Sequence, residues 1–273
     1  MRKLGILFIF FIIVLSGKAQ LEIGGFVGGS YYVGDINPKI PFRQTKLGYG
    51  ILFRYALNAR WAVRLNAYEG TLTGDDNVVK YNETRSLEFK SEITELAGVA
   101  EFNFLPYFTG SKKNFVTPYI FAGVGVVFHN PKVGDVKLRE KYTEGQESAD
   151  KLDPDNSDER NYSTAALCIP FGVGVKYSFS KRIAVSLEWG MRKTFNDYMD
   201  DISYTYYESA SSISPSDDGY DDLLYSDPNL DHEPNMQRGD SSNNDWYSFA
   251  GLTITYNINL TNRNKCSDFQ NGY

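Results

Sequence analysis

From Leu21 onward the chain alternates between bulky apolar residues and small or polar ones, and this period of two returns in eight blocks. In 21–33 the apolar series Leu21, Ile23, Val27, Tyr31 and Val33 alternates with Glu22, Gly24, Gly28 and Ser30. In 47–57, Leu47, Tyr49, Ile51, Phe53, Tyr55 and Leu57 alternate with Gly48, Gly50, Arg54 and Ala56. Trp61, Val63, Leu65 and Ala67 then oppose Ala62, Arg64, Asn66 and Tyr68. Leu96, Gly98, Ala100, Phe102 and Phe104 oppose Glu95, Ala97, Val99, Glu101 and Asn103. The fifth and sixth blocks, TPYIFAGVGVVF and LCIPFGVGVKYSF, share a GVGV core, and Lys176 lies on the glycine face of the sixth. The seventh carries Ile183, Val185, Leu187 and Trp189 opposite Ser186, Glu188 and Gly190; the eighth carries Trp246, Ala250, Leu252, Ile254 and Tyr256. Successive side chains of a strand point to opposite faces, so each block predicts a strand with one apolar face and one of small residues and isolated charges.

The bulk of the apolar face decides which side it takes. A soluble up-and-down barrel turns its large apolar residues inward and polar ones to water. Here the apolar face is the larger one, and exposed to water it would be an aggregation hazard. Turned outward it meets lipid. Eight strands of about ten residues then predict an all-β fold, an eight-stranded antiparallel outer-membrane β-barrel. The connections agree: they are short at 58–60, 105–114 and 180–182 and long at 34–46, 70–86, 129–163 and 195–245. Short turns at one end and long loops at the other are the layout of such barrels.

Composition and the N-terminus refine this picture. Twenty Tyr, 18 Phe and 24 Gly supply the rings and the small residues that the two faces need. A net charge of −6, with no basic stripe, argues against a nucleic-acid partner. The chain begins MRKLGILFIFFIIVLSGKAQ, with Arg2 and Lys3 ahead of an apolar run and small Gly17 and Ala19 before Gln20. This predicts a secretory signal peptide over 1–19, its apolar run shorter than the roughly 18 to 20 residues of a spanning helix. The barrel is then expected over 20–258 and a short periplasmic C-terminal tail over 259–273.

An eight-stranded barrel is narrow and filled by side chains, so charges on the inner face must satisfy one another. Those charges include Arg54, Arg64, Glu95, Glu101, Lys176 and Glu188. Folding the second and third strands about Ala59 sets Arg54 opposite Arg64, a costly pair unless a carboxylate intervenes. Glu101, at similar depth on the fourth strand, is the expected partner. These three are expected to form a buried ion network that plugs the lumen.

With the mature N-terminus in the periplasm, the short turns and the tail lie on the periplasmic side. They carry Arg60, Lys112, Lys113, Lys181, Arg182, Arg263 and Lys265 against Asp268. The long loops are acidic, and 195–245 alone holds Asp197, Asp200, Asp201, Asp217, Asp218, Asp221 and Asp222. Such loops keep an exposed surface soluble. The sharper alternative is a stand-alone surface barrel that binds an extracellular ligand, or a divalent cation at 153–159 or 217–222. Neither run has the spacing of a known calcium loop. His129 and His232 are the only histidines, and no Ser/acid pair is readable beside them, so the expectation is no enzyme, no catalytic metal and no cofactor. Cys168 and Cys266 sit about a strand length apart, too far for a disulfide.

The stretches LEIGGFVGGSYYVGDINP, SEITELAGVAEFNF, TPYIFAGVGVVFHNP and NNDWYSFAGLTITYNI resemble the PorG family. That family is the small outer-membrane barrel of the type IX secretion and gliding machinery of Bacteroidota. The Cys-containing tail NKCSDF is similar to the ends of that family but continues through Gln270–Tyr273. The resemblance implies a non-enzymatic component that ties a periplasmic ring, formed by the lipoprotein PorK and its partner PorN, to the outer membrane. The expected contact residues are Lys112, Lys113, Lys181, Arg182, Arg263, Lys265 and Cys266, with the turn 105–114 and the tail 259–273 as the docking segments. The other expected neighbours are outer-membrane lipids.

Overall fold

The computed structural model describes residues 20–82, 84–144, 162–207, 216 and 220–258. Eight long strands close on themselves: β1 (Gln20–Val33), β2 (Lys46–Ala56), β3 (Trp61–Asp75), β4 (Glu88–Asn103), β5 (Val116–Phe128), β8 (Ala165–Ser178), β9 (Ile183–Thr194) and β10 (Trp246–Asn257). Every neighbouring pair is antiparallel, in the order β3-β2-β1-β10-β9-β8-β5-β4, and a β3–β4 pairing shuts the ring. Between β5 and β8 the chain adds a small hairpin, β6 (Pro131–Val133) and β7 (Val136–Lys137), laid along the end of β4. Among the described residues, two short α-helices, α1 (Asp76–Val79) and α2 (Tyr220–Ser226), and a 3₁₀ turn (Leu138–Lys141) lie in the long connections. No helix among the described residues is long and apolar enough to cross a membrane.

The alternation read from the sequence sets which side each residue takes. On β5, Val124 is 71% exposed while Tyr119, on the other face, is 1% exposed. Leu65, Leu96, Leu167, Leu187 and Ile254 also face outward, and Tyr68, Phe121, Phe249 and all the inner charges face inward. This inside-out pattern is that of a transmembrane barrel, whose outer belt meets lipid. Aromatic residues flank the belt. Trp61, Phe102, Phe104, Phe115 and Tyr177 cluster near the short turns, and Tyr31, Phe42, Trp189, Phe171 and Trp246 near the long loops. Inside, the glycines make room for rings. A Cβ on Gly172 or Gly190 would stand 2.7 or 2.6 Å from the Phe121 ring, and one on Gly174 would stand 2.6 Å from Tyr119.

One connection differs from the sequence reading. The sequence pattern predicts a loop over 70–86, yet β3 and β4 stay paired to Asp75↔Glu88, well beyond the rest of the barrel. The alternation persists there: Leu72 and Phe89 point inward onto Ile36, Ile93, Met199 and Ile202 in a cap that seals the loop end. Thr71 and Thr73 are β-branched and suit the strand. The opposite end is closed by the turn 105–114, which folds back under the barrel. Thr109 exchanges hydrogen bonds with Gln20 (3.1 and 3.2 Å), its hydroxyl donates to Glu22, and Gly110 N donates to Ser178 Oγ at 2.7 Å. Gly110 has a φ of +90°, a conformation that glycine adopts at no steric cost.

Candidate functional site

Strand register builds the lumen network. Antiparallel pairing of β2 and β3 places Arg54 beside Arg64, both turned inward. Glu101 of β4 lies between them, with Oε2 2.9 Å from Arg54 Nε and Oε1 3.2 Å from Arg64 Nε. These two contacts are close ion pairs rather than well-aimed hydrogen bonds. Lys176 of β8 donates to Glu101 at 2.5 Å and to Asn103 Oδ1 at 2.9 Å. Arg54 Nη1 also donates to Glu22 (2.8 Å), and Arg64 Nη1 to Glu188 (2.5 Å). The Tyr119 and Tyr68 hydroxyls donate to the same Glu188 at 2.7 and 3.2 Å. Three carboxylates (Glu22, Glu101, Glu188) thus face three cations (Arg54, Arg64, Lys176), all buried. Burying charge costs several kcal/mol per ion unless partners replace water, and here each ion has a partner at contact distance. Phe121 and Tyr119 rings cover Arg64 and Lys176 at 5.0 and 4.3 Å. This matched, ring-covered network occupies the middle of the lumen.

Glu95 belongs elsewhere. Expected among the other inner charges, it lies nearer the loop end and is held by Arg192 (2.9 Å) and by the Tyr247 hydroxyl (2.8 Å), with Phe249 over the guanidinium at 4.9 Å. Sequence reasoning did not single out Arg192. The signal was available: the alternation of β9 continues two residues past Gly190 and puts Arg192 on the inner face. Glu22, on the small face of β1, was legible in the same way.

The short-turn rim is a second charged feature. Lys112, Lys113 and Lys181 are exposed, as are Arg60 and Arg182. Arg60 donates to the Phe104 carbonyl at 2.6 Å, and Arg182 donates to the Tyr256 hydroxyl at 2.5 Å and lies over that ring. Among the described residues of this rim there is no exposed carboxylate. Arg263, Lys265 and Cys266 lie outside the described residues, as do the signal segment 1–19 and the tail 259–273. Cys168 is a buried free thiol 3.5 Å from the Tyr247 hydroxyl.

The cap holds the third cluster. The Tyr32 hydroxyl contacts Asp200 and lies 2.7 Å from Asp245. One hydroxyl proton cannot serve two carboxylates, so one of these acids carries a proton of its own. Burial, with the charge of neighbouring acids, holds Asp200 and Asp245 well above the usual carboxylate range. Burial likewise raises Asp35 to about 6, Asp201 to about 7 and Asp197 to about 9. Arg238 binds Glu144, and Arg85 binds Asp76 through 2.8 and 2.9 Å hydrogen bonds. Among the described residues no group of three His, Cys, Asp or Glu side chains converges as a metal site. Of the cation candidates, 153–159 and 217–219 lie outside the described residues, and Asp222 instead accepts a hydrogen bond from Lys141 at 2.6 Å. His129 is buried against Tyr162, which lowers its pKa to about 4, and His232 is tied to Asp227 at 2.9 Å and stacked on Tyr206.

Solved structures similar to this chain are outer-membrane barrels. The N-terminal β-barrel domain of Pseudomonas aeruginosa OprF is 13% identical, covering 88% of this chain and 98% of its own, with a TM-score of 0.39. Neisserial surface protein A is 10% identical (89% and 98% covered, TM-score 0.41). A major outer membrane protein of Thermus thermophilus is 14% identical (89% and 100% covered, TM-score 0.39). No curated protein matches. A family profile described as a domain of unknown function, DUF6089, matches residues 2–215, and the chain belongs to that family.

Proposed function

We propose that this chain is a non-enzymatic outer-membrane barrel that anchors a periplasmic protein ring of the type IX secretion machinery, through its basic short-turn rim. The observation that carries the reading is the rim itself: Arg60, Lys112, Lys113, Lys181 and Arg182 are exposed with no exposed carboxylate among its described residues, at the end away from the acidic loops. The network in the middle of the lumen supports a scaffold rather than a channel, and the sequence resemblance to PorG supplies the partner, a ring of PorK and PorN type. The turn 105–114 is suited to docking because its hydrogen bonds to Gln20, Glu22 and Ser178 hold it fast while Lys112 and Lys113 point free. Complementary charge contributes chiefly to encounter rate and register. The test is charge reversal of Lys112, Lys113 and Lys181 to Glu, followed by recovery of ring proteins on the affinity-purified barrel. Loss of the ring proteins from a variant that still folds supports the reading, and unchanged recovery overturns it.

A further inference from the structure

The loop end of the barrel holds a cavity of about 590 Å³, at the opposite end from the basic rim. Its walls come from three connections: the one after β1, the one before β4 and the one leading into β10. The size lies within the range of about 300–1,000 Å³ usual for small-molecule sites.

The floor is held rigid by two guanidiniums that are already committed. Arg85 pairs with Asp76 and donates to the carbonyls of Arg238 (2.7 Å) and Asp35 (3.1 Å). Arg238 pairs with Glu144 and donates to the carbonyls of Ser226 and Asp201. Neither presents an unpaired positive charge to the cavity, so a phosphate or carboxylate ligand has no counter-ion on its floor. The carboxylates offer little to a cation either. Both Asp240 oxygens accept hydrogen bonds from Ser242 and Asn243, and Asp35 Oδ2 accepts from Asp240 N at 2.9 Å.

What the walls do offer is carboxamide. Asn82 and Gln237 each use one side-chain atom internally, Asn82 Oδ1 accepting from Thr84 and Gln237 Nε2 donating to Gly239 O, and each keeps the other atom. Asn244 lines the same space. A carboxamide pairs a donor with an acceptor, which suits hydroxyl groups, each of which donates and accepts. Tyr81, 54% exposed, adds an aromatic ring to the wall, with the Lys39 ammonium 5.3 Å from its centroid. A ring of this kind packs against the C–H face of a sugar while its hydroxyl stays wet.

We propose that this cavity is a binding site for a neutral oligosaccharide, held by the carboxamides of Asn82, Gln237 and Asn244 and by the ring of Tyr81. The site is independent of the basic rim and of any ring protein docked there. The full chain, purified in a zwitterionic detergent without a sugar headgroup, is titrated with maltose and with chitobiose by saturation-transfer NMR and calorimetry. Glucose 6-phosphate and spermidine serve as anionic and cationic comparisons. Saturable binding of a neutral disaccharide is expected, weakened about ten-fold in Tyr81→Ala and in Asn244→Ala, as losing a contact or hydrogen bond predicts. Both variants are expected to keep the unfolding temperature of the parent. Binding that survives in both variants, preference for the phosphate or the polyamine, or no binding to any of the four overturns the proposal.

Discussion

In the lumen, Glu22, Glu101, Glu188 and Glu95 face Arg54, Lys176, Arg64 and Arg192, one cation for each carboxylate. In the cap above it, Arg238 pairs with Glu144 and Asp201 and Arg85 with Asp76, while Asp35, Asp197, Asp200 and Asp245 lie close to one another. Both regions bury acids, and they compensate them differently. The lumen uses fixed cations from neighbouring strands, while the cap uses protons and hydroxyls such as those of Tyr32 and Tyr162. The strand lattice explains the contrast. Strands hold side chains of opposite charge at contact distance over the whole barrel, whereas loops gather acids without a regular supply of partners.

This contrast can be broken most forcefully at Glu101. Replacing Glu101 by Leu leaves Arg54, Arg64 and Lys176 around an apolar group, and the expected loss is about 5 kcal/mol, the upper end for a broken buried ion pair. Denaturant unfolding in detergent measures it, and a loss under about 1 kcal/mol would mean that the network is not stabilising. Arg192→Leu leaves only Glu95 stranded, with the Tyr247 hydroxyl still donating to it, and is expected to cost about 3 kcal/mol. The double variant Arg192→Leu/Glu95→Leu should recover most of that loss, because it removes the unpaired charge; a double-mutant cycle decides.

The smallest effect is expected in the cap and depends on pH. An acid whose pKa is raised on folding binds more protons folded than unfolded. Its contribution is therefore complete below about pH 4 and is lost as pH rises through the folded value. Asp35 at about 6, Asp201 at about 7 and Asp197 at about 9 should loosen the cap in steps on the alkaline side. Hydrogen exchange of the 196–206 amides, corrected for intrinsic rates, should quicken from pH 5 to pH 9 while the strands stay protected. Asp197→Asn should remove the last step. Equal quickening in the strands would place the titrating groups in the lumen instead.

The alternation alone determined a great deal about this protein. It assigned faces to Val124, Tyr119, Arg54 and Glu101 correctly, because side-chain direction in a strand depends only on the parity of neighbours. It also brought Arg54 to Arg64, since a tight turn at 58–60 leaves one register. Glu101 beside Arg54 and Arg64 was legible as well, and only the tertiary structure decided the other charge partners across the lumen. Arg192 reaches Glu95 from 97 residues away, and Tyr32 joins Asp200 and Asp245 across 168 and 213 residues. Such pairings depend on how the ring of strands closes and staggers, a global property with no local period. The continuation of β3 and β4 to Asp75↔Glu88 has the same cause. Its strands extend because the cap packs against Leu72 and Phe89, and that cap is assembled from loops whose sequences carry charge but no repeating face.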